Sequence, residues 1–228
     1  MPTTSLDIRP AHRIAVRYST ELVDTINPAQ LELPTPCAGW TLADLLVHMV
    51  AQHHGFAAAA RGFGADHEVW RTDTVLDAVL ADPGGTYARA ARDVLDAFAD
   101  DRALDTPFAL PDFGPDAVVP GRMAMGFHFV DYVVHGWDVA ATLGVPFELP
   151  ADVIAAVLPL ALGVPDGDFR GAAGSPFAAA VSTAADDTED DGLNRILAHL
   201  GRRPDWTTLE RNQPYSTVTG AWSDQRKA

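Results

Sequence analysis

Residues 127–144 read FHFVDYVVHGWDVAATLG, and the fold turns on how this stretch is read. The spacing predicts a helix. Val130, Val133, Val134, Trp137, Val139, Ala140 and Leu143 cover most of its circumference with apolar groups, as in a largely buried helix. His128, Asp131, His135, Asp138 and Thr142 interrupt that surface at alternating steps of three and four. At roughly 100° per residue they share one stripe about 80° wide. A solvated face would give such a stripe, but it normally recruits long Lys, Glu and Arg chains. From His128 onward the stripe holds short groups able to donate, accept or ligate at close range. Polar groups on a buried helix need partners. One metal ion would satisfy a carboxylate and two imidazoles together.

Outward from this stretch, the helix starts near Gly121 and Gly144 is a natural C-cap. Residues 105–120, broken by prolines, are irregular or a short hairpin. Residues 72–99 read as helix with a break at Pro83-Gly84-Gly85. Thr41, followed three residues later by Asp44, has the form of a capping box. It opens a helix ending near Arg61-Gly62, with Leu42, Leu45, Leu46, Met49 and Phe56 on its apolar face and His48 on the edge. Residues 10–26 form a first helix, with Ile14, Tyr18, Leu22 and Ile26 recurring every four residues. Residues 28–39, with three prolines, form a loop. After the central helix come an apolar helix at 150–162, a short strand at 178–181 and a last helix at 190–201. The expected class is all-α: a four-helix bundle with short extra helices and a possible strand pair. It forms one domain over residues 1–206, followed by a polar tail at 207–228. Antiparallel bundles place sites in the core, on facing helices.

The 228 residues, 47% of them hydrophobic, are enough for a substantial core. A formal charge of −15 argues against nucleic acid or anionic membrane as partners. A single cysteine, Cys37, excludes an internal disulfide and fits a reducing cytoplasm. The first residues lack a signal-peptide core, and no apolar run approaches a membrane span. The expected partner is a small-molecule substrate, with the chain a monomer or homodimer.

Asp131 and His135 are four apart and can reach one point; His48, on a second helix, would add a third ligand. Two imidazoles and a carboxylate leave coordination positions open, which suits zinc first and also nickel, iron, manganese or cobalt. Asp138 is placed to orient an imidazole as a second-shell acceptor, or to pair with a neighbouring cation. His128 is a candidate acid/base or substitute ligand, and Trp137 packs beside the site. His12, His67 and His199 fall at helix ends or loops and read as surface residues. His53 lies off the His48 face. Cys37 precedes a helix N-terminus; it is either a nucleophile or a small packed residue of its turn. No phosphate loop, dinucleotide fingerprint or nucleophile elbow is present.

Thr35-Pro36-Cys37-Ala38-Gly39-Trp40-Thr41, followed by Leu45-Leu46-Val47-His48, resembles the opening of the second helix in the DinB-like superfamily. The resemblance is to its actinobacterial branch that includes mycothiol-dependent maleylpyruvate isomerase. Asp131-Tyr132-Val133-Val134-His135-Gly136-Trp137-Asp138-Val139-Ala140 is similar to that branch's metal-ligand helix. Leu200-Gly201-Arg202-Arg203-Pro204 resembles the ending of its small members. The resemblance implies a four-helix bundle holding one divalent metal, with His48 and His135 at the ligand histidines and Asp131 at the acidic ligand. The isomerase carries the longer Glu there, so the shorter Asp131 leaves room for a water. The chain also lacks a recognisable second domain. The activities implied use a small thiol such as mycothiol, activated by the metal, in transfer or isomerisation of an electrophile. A metal-dependent hydrolase, cyclase or lyase of secondary metabolism that uses no thiol, and a non-catalytic ligand-binding bundle, are the alternatives.

Overall fold

The computed structural model describes residues 7–114, 116–167, 170–171, 177–182 and 192–208. Its central helix, α5 (Gly121–Leu143), has the expected bounds. Gly144 ends it in the left-handed region (φ 69°, ψ 30°), where a glycine carries no steric penalty. At the other end Gly121 is equally constrained. A Cβ there would lie 1.8 Å from the Ala103 carbonyl oxygen, so the chain turns into α5 in space that only glycine leaves open.

Three more helices complete the bundle: α1 (Arg9–Asp24), α2 (Leu42–Ala60) and α4 (Pro83–Ala99). α1 packs on α4 and α5, and α2 packs on the same two, which closes a four-helix ring. A short α3 (Leu76–Ala81) precedes α4, and the break falls at Asp82, whose carboxylate caps α4 by accepting from Gly85 N–H. β1 (Pro107–Ala109) and β2 (Val118–Pro120) form an antiparallel hairpin that leads into α5. α6 (Ala151–Leu162) and α7 (Gly192–His199) pack on each other, and α6 also rests on α5 and α1. No described helix is long and apolar enough to cross a membrane.

Two expectations are corrected. α1 buries His12, Ala15, Val16, Ser19 and Val23, and Ile14 is exposed. The buried residues lie on the side of α1 that packs on α4 and α5, while Ile26 joins the core and Leu22 packs against it. Ala178–Val181 is not a strand. Val181 N–H bonds the Ala198 carbonyl at the end of α7, and among the described residues no strand offers it a ladder. The tail from residue 209 lies outside the described residues.

The loop before α2 is closed by backbone bonds from Leu42 N–H to Leu33 O (2.8 Å) and Thr35 N–H to Trp40 O (3.1 Å). Thr41 and Asp44 form the capping box: Asp44 N–H donates to the Thr41 hydroxyl at 3.2 Å, and Thr41 N–H to Asp44 Oδ2 at 3.0 Å. This cap fixes where α2 starts, and so the depth at which His48 sits. Thr41→Ala is expected to cost about 1 kcal/mol, lowering Tm by roughly 2–4 °C. Thermal melts by circular dichroism will show it; an unchanged Tm would mean the loop, not the cap, sets the helix start.

Candidate metal centre

His48 on α2 and Asp131 and His135 on α5 face one another across the ring. One ligand atom from each lies within 4.8 Å of the others. His135 Nε2 is 3.3 Å from Asp131 Oδ1, and the His48 and His135 rings stand edge to face at 5.2 Å. Asp131 Oδ2 is buried without a hydrogen-bond partner, a costly state for a carboxylate oxygen. A cation between these three residues would satisfy it. Burial holds the His48 pKa down at about 4, so its ring is neutral and able to ligate. Burial also opposes charge on His135. Asp131 outweighs it, with hydrogen bonds to Asp131 and Asp138 adding, and the His135 pKa stands well above 6.5. A metal would replace the proton on Nε2.

The other face of His135 is held by a second group. Asp138 Oδ2 accepts from His135 Nδ1 at 2.8 Å, from Arg202 Nη2 at 3.1 Å and from the Cys37 thiol at 3.2 Å. Asp138 is wholly buried, and the Arg202 side chain is nearly so. Burial would raise the Asp138 pKa; the charge of Arg202 and the bond from His135 outweigh it and set it at about 2. Cys37, His135 and Asp138 also offer ligand atoms within 4.8 Å of one another. The two groups differ in what faces them. Arg202 Nη2 lies 3.3 Å from Cys37 Sγ and 3.1 Å from Asp138, so a cation already occupies the second group. Among the described residues no arginine or lysine bonds the first group, whose positive charge is the His135 proton that a metal would displace, and it is the site a metal fits.

Both groups open on a cavity of about 2250 Å³, lined by Trp40, His48, Asp131, His135, Arg202 and Trp206 among others. Asp138→Ala would leave Arg202 buried and unpaired, at an expected cost of roughly 3 kcal/mol. Chemical unfolding in the presence of chelator measures this, and a cost below about 1 kcal/mol would show that Arg202 relaxes into solvent.

His128 lies elsewhere. It is fully buried, its Nδ1 lies 2.8 Å from His12 Nε2, and its Nε2 lies 3.1 Å from His53 Nδ1. The three imidazoles form a hydrogen-bonded chain across α1, α5 and α2. Tyr132 stacks on both His128 and His53 at 4.0 Å, with Phe56 and Phe98 around His128. His128 is not among the cavity-lining residues. The stripe on α5 therefore splits: Asp131 and Asp138 both contact His135, and His128 belongs to the interior chain. His12, expected at the surface, is 1% exposed. His199 is half-buried, with Nε2 2.8 Å from the Val164 carbonyl, and His67 is exposed as expected. Trp137 is buried but is not part of the cavity lining. Nothing in its spacing marks Arg202; the resemblance of Leu200-Gly201-Arg202-Arg203-Pro204 to the ending of the branch's small members was the signal that touched it.

The profile of the mycothiol maleylpyruvate isomerase N-terminal domain matches residues 12–140, more than half of the chain. The chain belongs to that family. Two uncharacterized proteins of Mycobacterium tuberculosis, Rv0738 of strain H37Rv and MT0763 of strain CDC 1551, are each 30% identical to it over 176 residues. The alignments span 76% of this chain and 87% of each relative. The crystal structure of the mycothiol-dependent maleylpyruvate isomerase is similar with a TM-score of 0.49 and 12% identity, over 69% of this chain and 68% of that one. Membership of the family agrees with the DinB-like resemblance. The family-matched span holds Cys37, His48, Asp131, His135 and Asp138, and ends before Arg202.

Proposed function

We propose that this chain is a metal-dependent enzyme in which a small thiol, of the mycothiol type, is activated to attack an electrophilic metabolite. The observation that carries the reading is that Asp131 lies with two imidazoles in one group while its Oδ2 is buried and unpartnered. Residues 1–206 form the functional unit, with His48, Asp131 and His135 as ligands to one divalent metal, zinc first among the candidates. When bound there, the metal supplies Lewis acidity, which lowers the pKa of a thiol or water at its open position. The protein's own residues supply the rest. His48 presents a neutral nitrogen and Asp131 a carboxylate oxygen. Asp138 holds His135 by Nδ1, so that Nε2 faces the ligand set. Cys37 and Arg202 occupy the Nδ1 side of His135, and substrate arrives through the cavity on which both groups open.

Family membership supports the thiol, because the family is named for a mycothiol-dependent isomerase. Cavity size supports it independently. A pocket for one small ligand occupies roughly 300–1,000 Å³, and about 2250 Å³ accommodates a thiol cofactor and an electrophile side by side. The test combines elemental analysis of the purified protein with a screen for consumption of electrophiles, with and without added thiol. The expected result is about one metal per chain and turnover that depends on the thiol. Turnover at the same rate without thiol would replace this reading by metal-dependent hydrolysis or cyclisation. Protein that binds no metal, and whose stability is indifferent to chelator, would make the bundle a non-catalytic ligand binder.

A further inference from the structure

Arg202 stands 64 residues from Asp138 and 165 from Cys37, and beyond the family-matched span. Yet its guanidinium reaches both. Nε approaches Asp138 Oδ1 at 3.4 Å, and Nη2 lies 3.1 Å from Oδ2 and 3.3 Å from Cys37 Sγ. Nη1 donates to the Leu200 carbonyl at 3.1 Å, and the Arg202 backbone N–H to Leu197 O at 2.8 Å. These last two bonds fasten the guanidinium to the end of α7.

A guanidinium has five N–H donors. Nε gives its one hydrogen to Asp138. Nη2 gives one to Asp138 and one to the Cys37 sulfur. One of the two on Nη1 goes to Leu200. A single N–H is left, too few for the two parallel bonds by which arginine clasps a carboxylate or phosphate. Arg202 lines the cavity, but its donors are committed to the protein rather than to an anionic substrate.

Its effect must then pass through Asp138. His135 lies between two carboxylates: Asp131 Oδ1 is 3.3 Å from Nε2, and Asp138 Oδ2 is 2.8 Å from Nδ1. A neutral imidazole has one proton to place, and ligation through Nε2 requires it on Nδ1. We infer that Arg202 is a positioning residue for the metal centre: by bonding both Asp138 oxygens it fixes that carboxylate, which holds His135 with Nδ1–H toward Asp138 and Nε2 toward Asp131 and His48. The site is therefore completed from the segment after α7, outside the bundle that carries the ligands. The inference rests on the metal-site reading above.

The test is the Zn(II) dissociation constant of the full chain, measured against a chromophoric chelator, together with the absorption spectrum of the Co(II)-loaded protein. Asp138→Asn is expected to weaken Zn(II) binding by about 10–100-fold, the usual loss for an outer partner of a ligand histidine. Arg202→Met is expected to weaken it roughly tenfold and to shift the Co(II) bands, because the His135 ring turns. The double variant is expected to match Asp138→Asn alone within about twofold, since both changes act on one link. Losses that multiply in the double variant would overturn the inference, as would Arg202→Met binding within about twofold of wild type. If Arg202→Met does not fold, Arg202→Lys decides. It keeps the charge but cannot bond both oxygens, so weaker binding supports the inference and wild-type affinity overturns it. Wild type and His48→Ala binding Zn(II) alike would instead sink the metal-site reading, and this inference with it.

Discussion

Replacing His48 and His135 together by Ala is expected to abolish binding of divalent metal while the helical bundle stays folded. The size of the effect follows from the ligand count. Four-ligand structural zinc sites bind with roughly 10–16 kcal/mol, so each ligand carries about 3 kcal/mol, or about a hundredfold in affinity. Losing two of three ligands removes on the order of 10⁴-fold. What remains is one carboxylate, Asp131, which binds a divalent ion no better than other surface acids do. His48→Ala alone is expected to be the milder change for the fold, because its ring is neutral and lies at the cavity wall against Trp40. His135→Ala removes the group between Asp131 and Asp138 and leaves two buried carboxylates closer to unopposed. Elemental analysis after dialysis against dilute Zn(II), with far-ultraviolet circular dichroism as the folding control, measures the outcome. One metal per chain on the folded double variant would remove the basis for the proposed function.

The second large effect is acid lability without metal. Burial, with nearby Arg13 adding, lowers the His12 pKa to about 3 from an ordinary 6.5. Burial pushes His53 and His128 well below 6.5 too, with His12 nearby adding in each case. Above pH 6.5 neither the folded nor the unfolded chain binds these protons, and the full stability is present. As pH falls below 6.5, the unfolded chain takes up protons that the folded chain refuses. Stability is then lost until the folded pKa values are reached. Each histidine contributes about 1.4 kcal/mol per pH unit, so three together approach 4 kcal/mol per unit. A domain of ordinary stability, about 5–15 kcal/mol, would unfold within a few units of pH 6.5. His48, lowered to about 4, adds in the same direction while metal is absent. His135, whose pKa is raised, is charged in both states well below pH 6.5 and adds nothing to the slope there; between pH 7.5 and 6.5 it acts in the opposite sense, because the folded chain holds a proton that the unfolded chain has lost. Urea unfolding in chelator at pH 7.5, 6.5, 5.5 and 4.5 gives the slope. His12→Gln is expected to reduce it by about a third of the three-histidine contribution. A stability that stays flat from pH 7 to pH 5 would mean the three rings are hydrated or charged in the folded chain.

The sequence carried the elements and the candidate ligand set. The apolar circumference of residues 127–144, the Thr41–Asp44 cap, the break at Pro83 and the glycine after Leu143 are local signals. Each acts within one helical turn, so spacing alone reveals them. The Asp131-to-His135 step is equally local, and one edge histidine on a second helix was enough to suggest a third ligand. Resemblance to a known family implied the same three residues, His48, Asp131 and His135.

The sequence alone determined the all-α class, the helix bounds and the residues able to ligate a metal, because periodicity and capping depend on neighbours in the chain. Tertiary structure decided which polar residues share a point. His128 has the same spacing as Asp131 and His135, yet it joins His12 and His53, because three helices converge there and not at the cavity. Arg202 reaches Asp138 across 64 residues of chain, and no pattern along the chain reports a contact made only by packing. The side of α1 that carries His12, Val16 and Val23 is buried because α4 and α5 pack on it, an arrangement set by the whole bundle and not by α1.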